Sequence, residues 1–267
     1  MNLKYIAPLI ASAFIATAGY AQTAAPVQSS ARPFGLPIAG NVMVGGSDAA
    51  SATFQSTELP ALTAYLSNVL GEGQAINDGD YLLDPNKLFL KTDANVRAYF
   101  IGEGAGYQNT LGYNTGGGGV TTGDPTIIFP NTTTSGSTRS ASAPLLPGDF
   151  VDLGTISGGQ KLDFFLIANG ATSSPGATYS TDGSINPDGI NHVVSFAAIH
   201  GSYLVIGFED LLGGGDEDFN DVLFAIDIGS INVAALTGTP EPATYMTMGL
   251  FLTGGLWVMR RRNAAKA

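Results

Sequence analysis

The clearest pattern in the chain is an alternation of side chains with a period of two, which begins after Asn95. Every second residue from Val96 to Phe100 falls on one side of an extended chain, and the residues between them fall on the other. Five further apolar segments are flanked by Gly, Pro, Asn or Asp, and we predict them as strands: Thr126–Phe129, Lys161–Ala168, Val193–Ile199, Tyr203–Phe208 and Val222–Ile228. Short strands with turn-rich spacers predict a mainly β protein, an antiparallel β-sandwich or jelly-roll-like domain over residues 95–230.

The residues before this domain are less regular. Residues 22–94 read as an N-terminal arm with one short helix, predicted from Glu58 to Leu70. Ser56 or Thr57 is the expected N-cap, and Gly71 ends the helix. The leucines at 59, 62, 66 and 70 fall near one helix face. Residues 231–239 are interpreted as a linker.

Charge narrows the possible partners. The full chain has a formal net charge of −11, but residues 22–239 contain six Lys or Arg and 21 Asp or Glu, a net charge of −15. A chain this acidic is expected to repel nucleic acid and anionic lipid, and to favour divalent cations or neutral and cationic partners. The chain has no cysteine, so its stability must come from core burial or bound metal.

The densest group of potential ligands lies between the last two predicted strands. Six acidic residues and one Asn occur from Glu209 to Asp221, together with three glycines. Their mutual repulsion needs water or a cation to offset it, and Ca²⁺ prefers six to eight oxygen ligands. We predict a calcium site here, with Glu217 facing solvent; its ligands are Glu209, Asp210, Asp216, Asp218, Asn220 and Asp221. A solvated turn closed by Asx-turns is the alternative.

This segment is not an EF-hand, although Asp216, Asp218 and Asn220 have the spacing of the first half of such a loop. The sixth position of that loop needs Gly but is Asp221, and the residues that follow are β-branched and aromatic. We therefore expect a loop between two strands.

Both ends of the chain carry export signals. Lys4 precedes an apolar stretch from Tyr5 to Ala18, and the small residues after it predict a signal peptide over residues 1–21, cleaved after Ala21. At the other end, an apolar run from Ala243 to Met259 would form a helix of roughly 25 Å, marginally long enough to span the inner membrane.

The three parts of the tail, residues 240–267, occur in a characteristic order. Three arginines follow the apolar run and would remain cytoplasmic, and a Pro-Glu-Pro triplet precedes it. This order resembles the PEP-CTERM sorting signal of Gram-negative bacteria, which implies transient recognition by exosortase and delivery to the cell surface or exopolysaccharide. The residues that carry the resemblance are Pro240, Glu241, Pro242, Arg260, Arg261 and Arg262.

A second resemblance covers the β-rich region. The segment from Gly207 to Val222, with its Gly-Phe-Glu-Asp and Gly-Gly-Asp-x-Asp-Phe-Asn-Asp-Val pieces, is similar to a bacterial domain of unknown function, number four-one-one-four. The similarity extends upstream to Phe100–Tyr113 and runs from about Asn95 to Ile228. It implies a β-rich extracellular module without an assigned activity.

Five residues outside the acidic segment have candidate roles. Glu103 follows the first strand and is a further candidate ligand, or a turn carboxylate that caps backbone amides. Asn109 and Tyr107 are expected to hold their turn by hydrogen bonding and packing rather than to bind a ligand. His192 and His200 are too few for a zinc cluster and are expected to be satisfied by backbone.

Three functions are compatible with these features. The sequence lacks the main hydrolase, phosphotransfer and metalloprotease motifs, so we favour a non-enzymatic matrix protein with a calcium-stabilised loop. A carbohydrate-binding module or adhesin is the alternative. A carboxylate-pair glycosidase is the third candidate and predicts a pocket with aromatics and an acid of raised pKa, whereas a cation site predicts ionised carboxylates and no cleft.

Overall fold

The computed structural model describes residues 21–72, 76, 81–197 and 201–238. Within these residues, ten strands form two sheets, both entirely antiparallel. The first sheet contains six strands in the order β1-β8-β9-β10-β2-β5: β1 (Leu82–Leu83), β8 (Val193–Ala197), β9 (Tyr203–Phe208), β10 (Val222–Asp227), β2 (Ala94–Gly102) and β5 (Phe150–Ile156). The second contains four in the order β4-β3-β6-β7: β4 (Thr126–Phe129), β3 (Thr110–Asn114), β6 (Asp163–Ile167) and β7 (Thr178–Ser180).

The two sheets pack face to face around a core rich in phenylalanine. Phe164 of β6 contacts Phe224 of β10 across the interface, with ring centroids 5.2 Å apart. Phe100 of β2 and Phe129 of β4 are 6.0 Å apart. All four side chains are fully buried. The predicted mainly β fold with two packed antiparallel sheets is therefore confirmed as a β-sandwich.

A helical layer covers the other face of the six-stranded sheet. It consists of α1 (Ala49–Thr53), a π-helical turn (Phe54–Glu58) and α2 (Leu59–Val69), which run on as one helix of 21 residues. Phe54 stacks on Tyr99 of β2 with ring centroids 3.9 Å apart, and Leu62 and Leu66 belong to the same buried cluster. Leu62 and Leu66 lie on one helix face, as the leucine spacing predicts.

The start of this helix differs from the prediction. It begins at Ala49, well before Glu58, and neither Ser56 nor Thr57 is the cap. Asp48 caps it instead, by accepting a hydrogen bond of 2.7 Å from the Ser51 amide, while Ser51 completes a capping box. The first turns lack an apolar period, so only the cap and the buried Phe54 mark them.

The six predicted strands are all present, with small differences at their described ends. Residues 198 and 199, the last two of the strand predicted at Val193–Ile199, lie outside the described residues. Thr126–Phe129 and Tyr203–Phe208 are found with the predicted bounds. The prediction missed β1, β3, β5 and β7. In β3 a glycine interrupts the apolar pattern, and the site requires it because a Cβ at Gly112 would lie 2.2 Å from the ring of Phe165.

Residues that precede and follow the sandwich strands in the chain also pack against its core. In the arm, Met43 pairs with Phe150 and the buried Val42 enters the main cluster. After the last strand, α3 (Ser230–Thr237) occupies residues interpreted above as a linker. The buried Asn232 of this helix accepts hydrogen bonds from the amides of Lys91 and Thr92.

Three of the predicted features lie outside the described residues: residues 1–20 of the signal peptide, the sorting signal at 240–267, and His200. Within the described part of the chain, no helix combines the length and apolar character needed to cross a membrane.

Candidate metal centre

The acidic segment is a loop at one end of the sandwich, between two paired strands. Strands β9 and β10 are antiparallel neighbours, with Phe208 opposite Val222. Glu209 directly follows β9, and Asp221 directly precedes β10. The predicted strand-loop-strand arrangement is therefore confirmed, and the fully buried Phe208 and Val222 anchor both ends of the loop in the core.

Three of the predicted ligands converge. Glu209, Asp216 and Asp218 each bring one carboxylate oxygen to a position within 4.8 Å of the other two. Glu209 is buried, with 1% of its surface exposed, Asp218 is half-buried and Asp216 is exposed. The group therefore extends from the edge of the core to the surface and could hold a metal ion.

Backbone conformation brings these carboxylates together. From Gly215 onward, positive φ angles alternate at Gly215, Glu217 and Phe219, with values of 56°, 59° and 52°. A Cβ at Gly215 would lie 2.3 Å from Oε2 of Glu209, so a larger residue there would displace that carboxylate. Glu217, between two of the converging residues, is exposed as predicted.

The two carboxylate oxygens of Glu209 differ in their hydrogen bonding. Its Oε1 accepts a hydrogen bond of 2.8 Å from the Phe219 amide, whereas the buried Oε2 has no hydrogen-bond partner among the described residues. Burial, reinforced by the charges of Asp216 and Asp218, raises the pKa of Glu209 from 4.5 to about 7. Burial likewise raises the pKa of Asp218. A cation between these groups would satisfy the unpartnered oxygen and favour their ionised forms.

A second carboxylate pair lies beside this group. The Asp210 amide donates to Oδ2 of Asp221 over 2.8 Å, and Oδ2 of Asp210 accepts from Nδ2 of Asn109 over 2.6 Å. Burial raises the pKa of both carboxyl groups. Asn109 also accepts from the Asn169 amide, so it holds the turn by hydrogen bonding as predicted.

The two remaining predicted ligands stand at the edge of the group. Oε1 of Glu103 accepts from the Thr134 amide over 3.2 Å, and burial with the nearby Asp210 charge raises the pKa of Glu103. Asn220 donates from its backbone and its side chain to the Asp218 carboxylate. The carboxylates of Glu103, Asp210 and Asp221 are thus not among the three that converge, and Asn220 contacts the group through Asp218.

Sequence reasoning missed a residue that supports the loop from outside. Asp188 accepts hydrogen bonds from the Gly213 amide, over 2.8 Å, and from His192, whose Nε2 is 2.9 Å away. These partners lower the pKa of Asp188 to about 2. The expected backbone partner of His192 is wrong: its ring pairs with Asp188 and stacks on Tyr179, and its buried Nδ1 has no partner within the described ranges. The only sequence signal was an acid in the turn before β8.

A cleft of about 590 Å³ opens beside the acidic loop. Its walls include Tyr107 from the turn after β2, and Asp210, Asp216 and Asp221 from the loop. The cation-site interpretation does not predict this cleft, whereas the glycosidase alternative does. The acids of raised pKa and one aromatic side chain are features that the glycosidase alternative predicts.

Fold and site together define a β-sandwich protein with an acidic, metal-competent loop at one end. Residues 156–229 match the family described as Domain of unknown function (DUF4114), a region that contains the whole acidic loop. Phe100–Tyr113, which also carries the resemblance, lies outside the matched region. No curated protein and no solved structure matches the chain.

Proposed function

We propose that this protein is an exported, non-enzymatic component of the cell surface or exopolysaccharide matrix that binds Ca²⁺ through Glu209, Asp216 and Asp218. The observation that carries the proposal is the unpartnered, fully buried Oε2 of Glu209 beside two further carboxylates. An unsatisfied buried carboxylate costs free energy, and a bound cation removes that cost.

The chemistry of the ligands favours calcium. All the converging groups offer oxygen, and the chain has no cysteine thiolate to favour a softer metal. With Ca–O distances of 2.3–2.6 Å, one calcium ion spans oxygens up to about 5.2 Å apart. The oxygens of the three residues lie within 4.8 Å of one another, so they fit around such an ion.

Isothermal titration calorimetry with CaCl₂ tests this site directly. The purified protein should bind calcium, and the double variant Asp216→Ala with Asp218→Ala should lose that binding. A matched variant, Asp124→Ala with Glu217→Gln, removes two negative charges from exposed positions and should bind as the wild type does. Equal binding by all three proteins would refute the site.

The proposed export of the protein rests on sequence features alone. The signal peptide, the Pro240–Pro242 triplet, the apolar run and the three arginines support passage through the inner membrane and transient recognition by exosortase. Mass spectrometry of the protein from the surface fraction should find a mature N-terminus at Gln22 and no peptide from the tail. A variant with Pro240 and Pro242 changed to Ala should remain in the membrane fraction. A wild-type chain found intact in the cytoplasm would overturn the proposed route.

A glycosidase is the second candidate, and the cleft with its acids of raised pKa is the observation that favours it. Asp221 and Asp210 line the cleft, and burial raises the pKa of both. Release of reducing ends from a polysaccharide panel, lost in Asp221→Asn, would replace the non-enzymatic proposal. No release by the wild type in calcium buffer would eliminate the enzyme.

A further inference from the structure

The cleft beside the acidic loop adjoins a second depression, and the two together are called the groove below. The second depression, of about 600 Å³, shares Tyr107, Asp210, Leu211 and Gly215 with the cleft of about 590 Å³. Each has the size of a small-molecule site. Two connected depressions suit an extended polymer better than a single compact ligand.

The groove exposes apolar side chains at its centre. Tyr107 is 42% exposed and Leu211 is 45% exposed, and both line the two depressions. Leu212, next in the loop, is 66% exposed. A tyrosine of this kind offers a flat apolar face and a polar tip, which suits contact with the apolar face and hydroxyl groups of a sugar ring. Grouped exposed apolar residues mark ligand or partner sites more often than isolated ones do.

The charge of the groove limits what it can bind. Asp210, Asp216 and Asp221 line it, and residues 22–239 carry a net charge of −15. These charges disfavour anionic polymers. Carboxylates and the polar side chains of Asn169 and Ser174 in the second depression accept hydrogen bonds from uncharged hydroxyl groups.

The group of three converging carboxylates, those of Glu209, Asp216 and Asp218, borders the same groove. Asp216 is the exposed member of the group and also lines the cleft. Calcium takes six to eight oxygen ligands, so three carboxylate residues leave coordination positions for other oxygens. The hydroxyl groups of a sugar can take such positions. The unpartnered Oε2 of Glu209 is a separate indication that this group holds an ion.

We propose that the groove binds a neutral polysaccharide, with Tyr107 stacked on a sugar ring and the calcium ion held by Asp216 coordinating sugar hydroxyls. The proposal rests on the calcium site proposed above and names the class of ligand that this site serves.

Affinity electrophoresis tests the proposal with the purified full chain in gels that contain neutral glucans, mannans or galactans, with calcium or with EGTA. At least one neutral polymer should retard the wild type in calcium and not in EGTA. Tyr107→Ala should weaken that retention about tenfold or more, the loss typical of a central aromatic contact. Phe89→Ala, which removes a 48% exposed aromatic outside both depressions, should bind as the wild type does.

Calorimetry with calcium alone separates the two proposals. Tyr107→Ala should retain wild-type calcium binding, whereas Asp216→Ala with Asp218→Ala should lose both calcium and polysaccharide. Calcium binding without retention by any neutral polymer would overturn the groove proposal and leave the metal site intact. Retention only by dextran sulfate or by oligolysine would overturn it as well, and equal retention of Tyr107→Ala and the wild type would remove Tyr107 from the site.

Discussion

The substitution Glu209→Gln tests the metal site with the smallest change in shape. The glutamine keeps an oxygen that can accept from the Phe219 amide, and it replaces the unpartnered Oε2 by an amide group close to Asp216 and Asp218. The variant therefore removes one buried negative charge and one metal ligand without opening a cavity.

The expected effect of calcium on Tm is worked out first for the wild type. At a calcium concentration of one hundred times Kd, binding stabilises the native state by about 2.7 kcal/mol. For a domain of this size, 1 kcal/mol raises Tm by about 2–4 °C, so calcium should raise it by about 5–10 °C. If the substitution weakens affinity a hundredfold, only about 0.4 kcal/mol remains at that concentration, which is about 1 °C.

The metal-free proteins should differ in the opposite direction. Burial raises the pKa of Glu209 to about 7, so at pH 8 the wild type without metal holds a buried, ionised and partly unsatisfied carboxylate. The neutral glutamine avoids that cost. In EGTA at pH 8, Glu209→Gln should therefore melt at the same temperature as the wild type or higher.

Differential scanning calorimetry at pH 8, with calcium and with EGTA, measures both effects. Glu217→Gln is the matched control, because it makes the same chemical change at an exposed position of the same loop. It should keep the full calcium shift. A Glu209→Gln protein that retains the wild-type calcium shift, or whose metal-free form melts several degrees below the metal-free wild type, would refute the role of Glu209 as a metal ligand.

Three further predictions concern the pH dependence of stability, the support of the acidic loop by Asp188 and a buried ion pair. The pKa of Glu209 is higher in the folded state than its usual 4.5, so the metal-free protein should lose stability as pH rises from about 4.5 to about 7, while the calcium-induced Tm shift grows over the same range. Asp188→Ala leaves the Gly213 amide without its acceptor and should weaken calcium binding about tenfold, as measured by calorimetry. Arg139→Ala leaves Asp149, 1% exposed, without its charged partner and should cost about 3–5 kcal/mol in urea unfolding.

Each of these predictions has a control or a contrary outcome. A calcium shift that is constant from pH 5 to pH 8 would contradict the role of Glu209. Asp182→Ala removes another turn carboxylate, which accepts hydrogen bonds from Ser184 in its own turn, and should leave calcium affinity unchanged. Lys87→Ala breaks an exposed ion pair with Asp84 and should not change urea unfolding measurably.

The strands were predictable where burial alone determines the pattern. Tyr203–Phe208 is buried along its whole length and appears in the sequence as an uninterrupted apolar run between polar turns. β3 contains Gly112, required by contact with Phe165, and β5 contains Gly154 at a register shift against β2. Both strands were missed because tertiary contacts and a bulge, rather than an apolar period, define them.

The residues of the acidic loop could be predicted from the sequence, but which of their carboxylates converge could not. Composition identified Glu209 to Asp221 as the place where oxygen ligands concentrate. It could not separate Glu209, Asp216 and Asp218 from their neighbours, because that choice depends on left-handed backbone at Glu217 and Phe219, which those residue types rarely adopt. The contact from Asp188 to Gly213 joins residues 25 positions apart and has no local signal.

The position of the converging carboxylates would couple the binding of an ion to the fold as a whole. Glu209 directly follows Phe208, which packs in the sandwich core, and Asp221 directly precedes the buried Val222. A loop whose ends are set in the core cannot rearrange freely, so the repulsion among its carboxylates acts on β9 and β10 as well. With no cysteine to form a disulfide, a cation is the strongest cross-link available to these residues. Sites on extracellular modules bind calcium with Kd of about 10⁻⁴–10⁻³ M. On the proposed export route, a site of that affinity would stay largely unfilled in a calcium-poor cytoplasm and fill outside, so the sandwich would reach its full stability only at its destination.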